Sequence, residues 1–281
     1  MSSIIGIDLG GTNIKGGVVT DSVLGNVLSV PTCASQGGDV TLDALKGLVR
    51  SLLASAPQCS GIGLGVPSVV DRRAGIAFNL MNIRGWEEVH LKTVLEEEFG
   101  LPVSVDNDAN CFALGEYRYG RCRGIENFVG ITLGTGVGGG IIQRGHLLDD
   151  ANCGSGEFGE LPYLDSKLED YCASRFFTDS CGRTAFELSL AARQGDEAAL
   201  DAYRQYGRHL AVLVKTILYV IDPQAIVFGG SISKSFDLFE QSMKEALNDF
   251  SYPGSLKKLR ILISDNNECG ILGAAALCLK D

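Results

Sequence analysis

The 281-residue chain is defined first by what it lacks. No apolar run approaches the length of a bilayer span, so no membrane segment is expected. No basic leader precedes the apolar strand that opens at Ile4, so an export signal is not expected and a cytoplasmic protein is. Positive charge is scarce: 24 Lys and Arg stand against 34 Asp and Glu, a net charge of −10, which argues against a nucleic-acid surface. The small basic blocks Arg72-Arg73 and Lys257-Lys258 read as solvated turns. Nine cysteines are present, yet none are spaced C-x-x-C. In a reducing compartment such thiols act as small hydrophobes, so they read as free thiols rather than bridges or metal ligands.

What is present suits a globular protein. Apolar residues make up 45% of the chain, enough for a core, and the length fits two domains of ordinary size. The most informative stretch is IIGIDLGGTNIKGG at Ile4–Gly17, because a weakened copy, VGITLGTGVGGG, recurs at Val129–Gly140. Gly6-Ile7-Asp8-Leu9-Gly10 aligns with Gly130-Ile131-Thr132-Leu133-Gly134, and Gly16-Gly17 aligns with Gly139-Gly140 after one deleted residue. Each copy reads as an apolar strand, a glycine-rich turn carrying Thr, and a second apolar strand. Turn glycines permit positive φ and let backbone N–H groups approach an anion. Two such turns in duplicated halves suggest a nucleotide phosphate chain held by two related domains.

The first half predicts strands at Ile4–Leu9, Ile14–Thr20 and Gly25–Val30. A helix over Thr41–Ala54 follows, with Leu42, Leu45, Leu48, Val49 and Leu52 on one face. Then come a buried strand at Gly61–Val66, an amphipathic segment at Val89–Phe99, a short strand at Val103–Val105 and a helix over Asp108–Tyr119. The second half predicts strands at Asn127–Leu133, Val137–Gln143 and near His146–Leu148. A long irregular stretch spans Asp149–Gly182. Helices over Asp196–Tyr219 and Phe236–Phe250, strands at Ala225–Phe228 and Arg260–Ser264, and a small-residue helix over Gly270–Leu279 complete the chain. This alternation predicts α/β domains with mixed sheets and a cleft between them.

Two groups of residues could carry chemistry. Asp8 ends the first strand just before Gly10-Gly11-Thr12; a carboxylate there suits Mg²⁺, held directly or through water. Thr12 and Asn13 add donors, and Lys15 offers a cation to a phosphate. Alternatively, Asp8 caps its own turn. The cluster Asp106-Asn107-Asp108 ends a strand and opens a helix. Capping explains one polar residue at that junction, but not three. A carboxylate placed on a substrate hydroxyl can accept its proton as the oxygen attacks phosphorus.

These motifs resemble the ROK sugar kinases, a glucokinase-like family of the actin-like ATPase superfamily. The carriers are DLGGTNIKGG at Asp8–Gly17, GVPSVVD at Gly65–Asp71, NIRGW at Asn82–Trp86 and LPVSVDNDANCFALGE at Leu101–Glu116. GITLGTGVGGGII at Gly130–Ile142, GSGEFGELPY at Gly154–Tyr163 and IVFGGSIS at Ile226–Ser233 continue the family order. The resemblance implies two duplicated actin-like (ribonuclease H-like) α/β domains with an interdomain cleft. The smaller would comprise residues 1–114 plus the C-terminal helix at about 266–281, and the larger 115–265. It implies transfer of the γ-phosphoryl group of ATP, with Mg²⁺, to a hexose, and it leaves room for a homodimer. Asp108 matches the general base and Asn107 its sugar-binding neighbour. Asn82 matches a sugar-binding asparagine, while Glu157 and Glu169 match glutamates that grip sugar hydroxyls. Gly10 and Gly11 belong to the first phosphate turn, Gly134, Thr135 and Gly136 would contact phosphate, and Gly229 and Gly230 would border adenosine.

The chain departs from the family at one place. Members commonly carry Gly-Glu-x-Gly-His and then a cysteine cluster that binds structural Zn²⁺. Here Glu160 stands where the histidine would, and YLDSKL, without cysteine, fills the space between Pro162 and Glu169. Too few soft ligands remain for a tetrahedral zinc site. Because that histidine often touches sugar, Glu160 is a candidate substrate residue that alters preference: a carboxylate accepts but cannot donate unless protonated.

The resulting expectation is an ATP-dependent hexokinase acting on the 6-hydroxyl of glucose or a close relative. N-acetylmannosamine, N-acetylglucosamine and fructose kinases are alternatives within the family, and polyphosphate is an alternative donor. The rivals of another class are a sugar-responsive repressor and a non-catalytic sugar-binding protein. The first would carry a helix-turn-helix ahead of the kinase-like body, where this sequence begins just before its first strand. The second would be expected to lose Asp108, Asp8, Thr12 or Thr135. Purified protein is expected to hold no stoichiometric zinc and to keep its activity after zinc-selective chelation with Mg²⁺ supplied. Metal analysis finding about one tightly bound zinc per chain overturns this expectation.

Overall fold

A computed structural model describes residues 3–80 and 83–279. These form two compact units. The first contains the chain up to Arg123, His146–Ser155 and the segment from Glu268 onward; the second contains Gly124–Gly145 and Gly156–Asn267.

The first unit is built on β1 (Ser3–Leu9), β2 (Asn13–Thr20), β3 (Leu28–Pro31), β4 (Cys59–Val66) and β5 (Val103–Asn107). β1 is apolar on both faces, as a central strand must be; Ile5, Ile7 and Leu9 are fully buried. It pairs antiparallel with β2 and parallel with β4, which pairs parallel with β5. The second unit repeats this plan with β6 (Phe128–Leu133), β7 (Val137–Gln143), β10 (Ala225–Gly229) and β11 (Arg260–Ile263). β6 is antiparallel to β7 and parallel to β10, which is parallel to β11.

The sequence duplication is therefore a duplication of register. Gly6 faces Gly17 and Ile7 faces Gly16 in one hairpin; Gly130 faces Gly140 and Ile131 faces Gly139 in the other. The deleted residue falls in the turn, since Leu9 faces Ile14 whereas Leu133 faces Val137.

Helix α1 (Gly38–Ser55) buries Leu45, Leu48, Val49 and Leu52 in a cluster with Ile7 and Ile14, while Leu42 is partly buried against it. Each such side chain contributes about 1.5–3 kcal/mol when fully buried. Helix α2 (Asp108–Arg118) follows β5 without a linker, and helix α5 (Cys269–Ala276) returns to this unit from the far end of the sequence. α5 lies on β1, β4 and α2 almost backbone to backbone. A Cβ on Gly6 would stand 2.1 Å from the Ile271 carbonyl oxygen, and one on Gly63 1.7 Å from that of Ala274. On the helix side, a Cβ on Gly115 would stand 2.1 Å from the Cys269 oxygen and one on Gly273 1.7 Å from that of Cys111.

The differences from the sequence reading are local, among them a small antiparallel sheet of Val69–Asp71, Ile76–Phe78 and Glu88–Val89 that it lacks. The strand expected over Gly25–Val30 is split into Val23–Leu24 and β3, both pairing with β2. The helix Ala185–Arg193 was not anticipated, although Thr184 and Glu187 form a capping box at its start. The stretch Asp149–Gly182 contains a tight hairpin, β8 (Pro162–Tyr163) with β9 (Ser166–Lys167), then α3 (Leu168–Cys172) and a helix over Arg175–Cys181. Such short elements carry too few residues for a readable period. The second unit's longest helix, α4 (Glu197–Val220), packs on α3. All nine cysteines are free thiols. Among the described residues no helix is long and apolar enough to cross a membrane.

Replacing Gly273 with Ala sets helix propensity against packing. Propensity favours Ala by about 1 kcal/mol, but the backbone oxygen of Cys111 blocks the added methyl, and overpacking costs about 1–3 kcal/mol or more. Urea denaturation of G273A is expected to show a net loss of stability, and a gain would refute the close seating of α5.

Candidate active site

The parallel strands of the first unit end in a row. Asp8 on β1 is in register with Gly65 on β4, and Gly65 with Asp106 on β5. Such carboxyl ends are where open α/β sheets take ligands. Gly65 leaves room for α2 to start close by: a Cβ there would stand 3.1 Å from Cys111 Sγ and 3.5 Å from the Asp108 Cα.

The three polar residues at the β5–α2 junction have separate positions. Asn107 is the cap: its Oδ1 accepts from the backbone N–H groups of Ala109 at 2.8 Å and Asn110 at 3.3 Å. Its amide nitrogen donates to the Ser68 carbonyl at 3.1 Å. Asp106 turns inward and is 1% exposed. Its Oδ1 accepts from the Asn107 backbone N–H at 2.7 Å and from Asn110 Nδ2 at 2.8 Å. Asp108 is the first residue of the helix and half-buried, with Oδ1 accepting from the Ala109 N–H at 2.8 Å.

Asp106 is balanced by Arg72, which the sequence places in a solvated turn but which is three-quarters buried. Arg72 Nη1 lies 3.7 Å from Asp106 Oδ2, while Nη2 donates to the Leu148 carbonyl at 2.6 Å and stands 3.7 Å from Asp150. Burial pushes the Asp106 carboxyl up to about 6, against the Asn110 hydrogen bond, the Arg72 charge and the Asn107 N–H; Asp150 adds to the rise.

The first glycine turn is exposed at Gly11, Thr12 and Asn13 and fastened from β3's end. Thr32 Oγ1 donates to the Gly10 carbonyl at 2.6 Å, its N–H donates to the Thr12 carbonyl at 2.9 Å, and the Gly10 N–H donates to the Asn13 carbonyl at 3.0 Å. Asp8 lies across from Lys15 in the strand register. Its carboxyl is raised above the ordinary range by burial, with Lys15 lowering it and Glu268 raising it.

In the second unit, Gly134–Gly136 forms the matching turn. The Gly134 carbonyl accepts from the Ser174 N–H at 2.8 Å, and the Gly134 N–H donates to Gly136 at 3.1 Å. Gly229 is in register with Thr132, one residue before the turn's leading Leu133. Gly230 has φ of +85°, and a Cβ there would stand 2.3 Å from the Leu133 oxygen, so only glycine fits.

The turn glycines Gly10, Gly11, Gly134 and Gly136 do not adopt positive φ, contrary to the sequence expectation. No atom lies within 4 Å of a Cβ on Gly11 or Gly134, whereas one on Gly136 would meet Glu169 Oε2 at 2.6 Å.

Glu157, Glu160 and Glu169 come together in the second unit. The Glu157 segment rests on β7 through glycines: a Cβ on Gly156 would stand 2.1 Å from the Gly139 oxygen. Although Glu157 is exposed as a residue, its carboxyl is raised by local desolvation and then by Glu160 and Glu169, with Lys167 opposing. Glu169 Oε2 accepts from the Val137 N–H at 3.0 Å. Glu160, the candidate at the histidine position, is engaged by Lys167, 2.6 Å away. Asn82 lies outside the described residues.

The repeated sheet order and hairpin register of the two units are those of an actin-like α/β protein with a glycine turn in each unit. The ROK family model matches residues 4–281, and the chain belongs to that family. It is 30% identical to the glucokinase of Halalkalibacterium halodurans, over 97% of this chain and 94% of the relative. It is 29% identical to the beta-glucoside kinase of Listeria monocytogenes, over 99% of this chain and 98% of the relative. The ROK family glucokinase of Streptomyces griseus, solved with glucose and AMPPNP, superposes with a TM-score of 0.84 at 28% identity, covering 98% of this chain and 99% of that one.

The Asp106 carboxyl has a testable pH signature. A raised carboxyl favours the protonated folded state, so its contribution to stability is full below the ordinary value near 3.8 and is lost as pH rises through about 6. The loss is on the order of 3 kcal/mol. Replacing Arg72 with Met removes an opposing charge, so the Asp106 midpoint is expected to rise above 6. Carbon-13 titration of the carboxyl carbon checks this, and an unmoved midpoint counts against Arg72 as its counter-ion.

Proposed function

We propose that the protein is an ATP-dependent hexose kinase that phosphorylates the 6-hydroxyl of glucose or a closely related sugar, acting in the cytoplasm. One observation carries the assignment of the base. Asn107 caps α2, so Asp108 is not needed as the cap, and it stands half-buried at the helix start beside the row of strand ends. The full-length similarity to glucokinases supports the substrate class.

In this reading Asp108 accepts the proton of the sugar 6-hydroxyl as that oxygen bonds to the γ-phosphorus. The bond from that phosphorus to the β,γ-bridging oxygen breaks, and ADP leaves. Asn107, Asn82, Glu157, Glu160 and Glu169 bind the sugar. Carboxylates suit this because hydroxyls are donors, and charge-assisted hydrogen bonds are the stronger kind. The turns Gly10-Gly11-Thr12-Asn13 and Gly134-Thr135-Gly136, exposed at Gly11–Asn13 and Thr135, receive phosphate oxygens, Lys15 adds a cation, and Gly229 and Gly230 border adenosine.

Mg²⁺ neutralises charge on the transferring phosphoryl group when bound. Asp8 would hold it, directly or through water. The fit is good: Mg²⁺ commonly takes one or two carboxylates together with phosphates and waters, and Asp8 offers a hard oxygen at a strand end. No group of three or more His, Cys, Asp or Glu among the described residues is arranged as a metal site.

A coupled ADP-release assay over glucose, mannose, fructose, N-acetylglucosamine and N-acetylmannosamine identifies the acceptor. With that acceptor, Asp108→Asn is expected to lower turnover by roughly 10²–10⁴-fold while sugar binding survives. Near-normal turnover in D108N, with Asp106 or Glu157 indispensable instead, would displace Asp108 from the role.

A further inference from the structure

The YLDSKL segment occupies the position at which the family resemblance implies a metal-binding cluster, and it carries Lys167. Lys167 Nζ stands 2.6 Å from Glu160 Oε1 and 3.4 Å from Glu169 Oε1. The opposite oxygen of Glu169 accepts from the Val137 N–H at the exit of the second glycine turn. One ammonium thus holds a carboxylate whose other end holds the phosphate turn. Its third N–H has no partner among the described residues.

The hairpin that delivers Lys167 is fixed by ring packing. Tyr163 packs edge-on against Tyr171 with centroids 5.1 Å apart, and its hydroxyl lies 3.1 Å from His209 Nδ1. Phe176 meets the His209 ring at 5.3 Å. At the base of the hairpin, the Leu168 N–H donates to the Leu161 carbonyl at 2.9 Å. Lys167 is therefore presented by a packed element, with its side chain only one-third exposed.

The charges around it are unbalanced without it. Glu157, Glu160 and Glu169 face one another, and Asp170 is already tied to Ser166 and Arg175. Arg175 sits near Glu169 but donates to Asp170. The hydrogen bond to Glu160 pushes Lys167 above its ordinary range, so it stays cationic wherever the enzyme would work.

We propose that Lys167 is a positioning residue for the phosphoryl acceptor: clamped by Glu160, it holds Glu169 between the sugar and the second phosphate turn and supplies the donor that Glu160 cannot. This rests on the reading of Glu157 and Glu169 as sugar-hydroxyl acceptors. An ionised carboxylate is the stronger acceptor for a sugar hydroxyl, and three carboxylates without a counter-ion take up protons more readily.

The test compares wild type, Lys167→Met and Lys167→Arg from pH 5 to 8, using the hexose that the wild type turns over best, with calorimetric binding of that sugar alongside. K167M is expected to raise the sugar KM by about tenfold or more while kcat falls by less than about threefold. The acid limb of kcat/KM is expected to move upward by about half a pH unit to one unit, because a cation that favours ionised carboxylates is gone. K167R is expected to restore the limb. If K167M does not fold, Glu160→Gln serves: it removes a negative charge, so the limb moves downward. An unchanged KM and limb in K167M, or K167R as impaired as K167M, overturns the proposal; so does an E160Q limb that stays or rises. Those outcomes leave the kinase reading standing. A wild type that neither binds nor phosphorylates any hexose defeats both.

Discussion

The seating of α5 against bare backbone organises the first unit. A helix with side chains in its path rides about 8–10 Å from its neighbour; here glycines on both partners remove those side chains. Gly6 and Gly63 open the sheet, Gly115 opens α2, and Gly273 opens α5 itself. The same contact reaches the candidate site at two points. Asp8 Oδ2 lies 3.3 Å from where a Cβ on Gly270 would stand, and the α2 turn carrying Cys111 is braced by Gly273. The strand end that carries Asp8 and the helix that starts with Asp108 are thus registered against one rigid body.

Electrostatics then divides the labour at the β5–α2 junction. Asp106 gives up solvent to knit the first turn of α2 through Asn110, and Arg72 compensates from another loop. Asn107 satisfies the N–H groups that a helix start leaves open. With these tasks taken, Asp108 keeps its place at the half-buried start of the helix. A buried carboxylate beside a half-buried one is an arrangement in which environment, and not residue type, sets the role.

Much of this was legible in the sequence because it is local. The aligned glycines Gly6/Gly130 and Gly16/Gly139 gave away the duplicated hairpins, and the register agrees residue for residue. The run Asp106-Asn107-Asp108 gave away a strand-to-helix junction. The sequence alone did not say which of the three caps, since that depends on side-chain directions. Arg72 and Lys167 were missed as participants for a different reason. Arg72, read as half of a solvated basic pair, acts on Asp106 and Asp150, which tertiary structure brings to it; Lys167 acts on Glu160 and Glu169 across a hairpin too short to show a period. The turn glycines do not use the positive φ that glycine permits; a Cβ would be crowded at Gly136 by Glu169 and at Gly10 by the Asn13 carbonyl, and not at Gly11 or Gly134. The stretch over Asp149–Gly182 looked irregular because its order comes from ring packing and single ion pairs, which leave no periodicity.

The discontinuity of the first unit has a consequence for how the protein is made. β1 and β4 emerge early from the ribosome, but the helix that covers their glycine row is translated only after the whole of Gly156–Asn267. Until then α2 alone covers that face of the sheet, beside Gly65, and the backbone of Gly6 and Gly63 that α5 will meet stays open. The second unit, interrupted only by His146–Ser155, has its last strand, β11, translated just before α5. Domains commonly fold as units in order of synthesis; here the order runs backwards, with the inserted unit able to finish first and the unit that opens the chain closing last. Joining contacts so distant in sequence slows folding, so the seating of α5 is the last and slowest contact the first unit acquires.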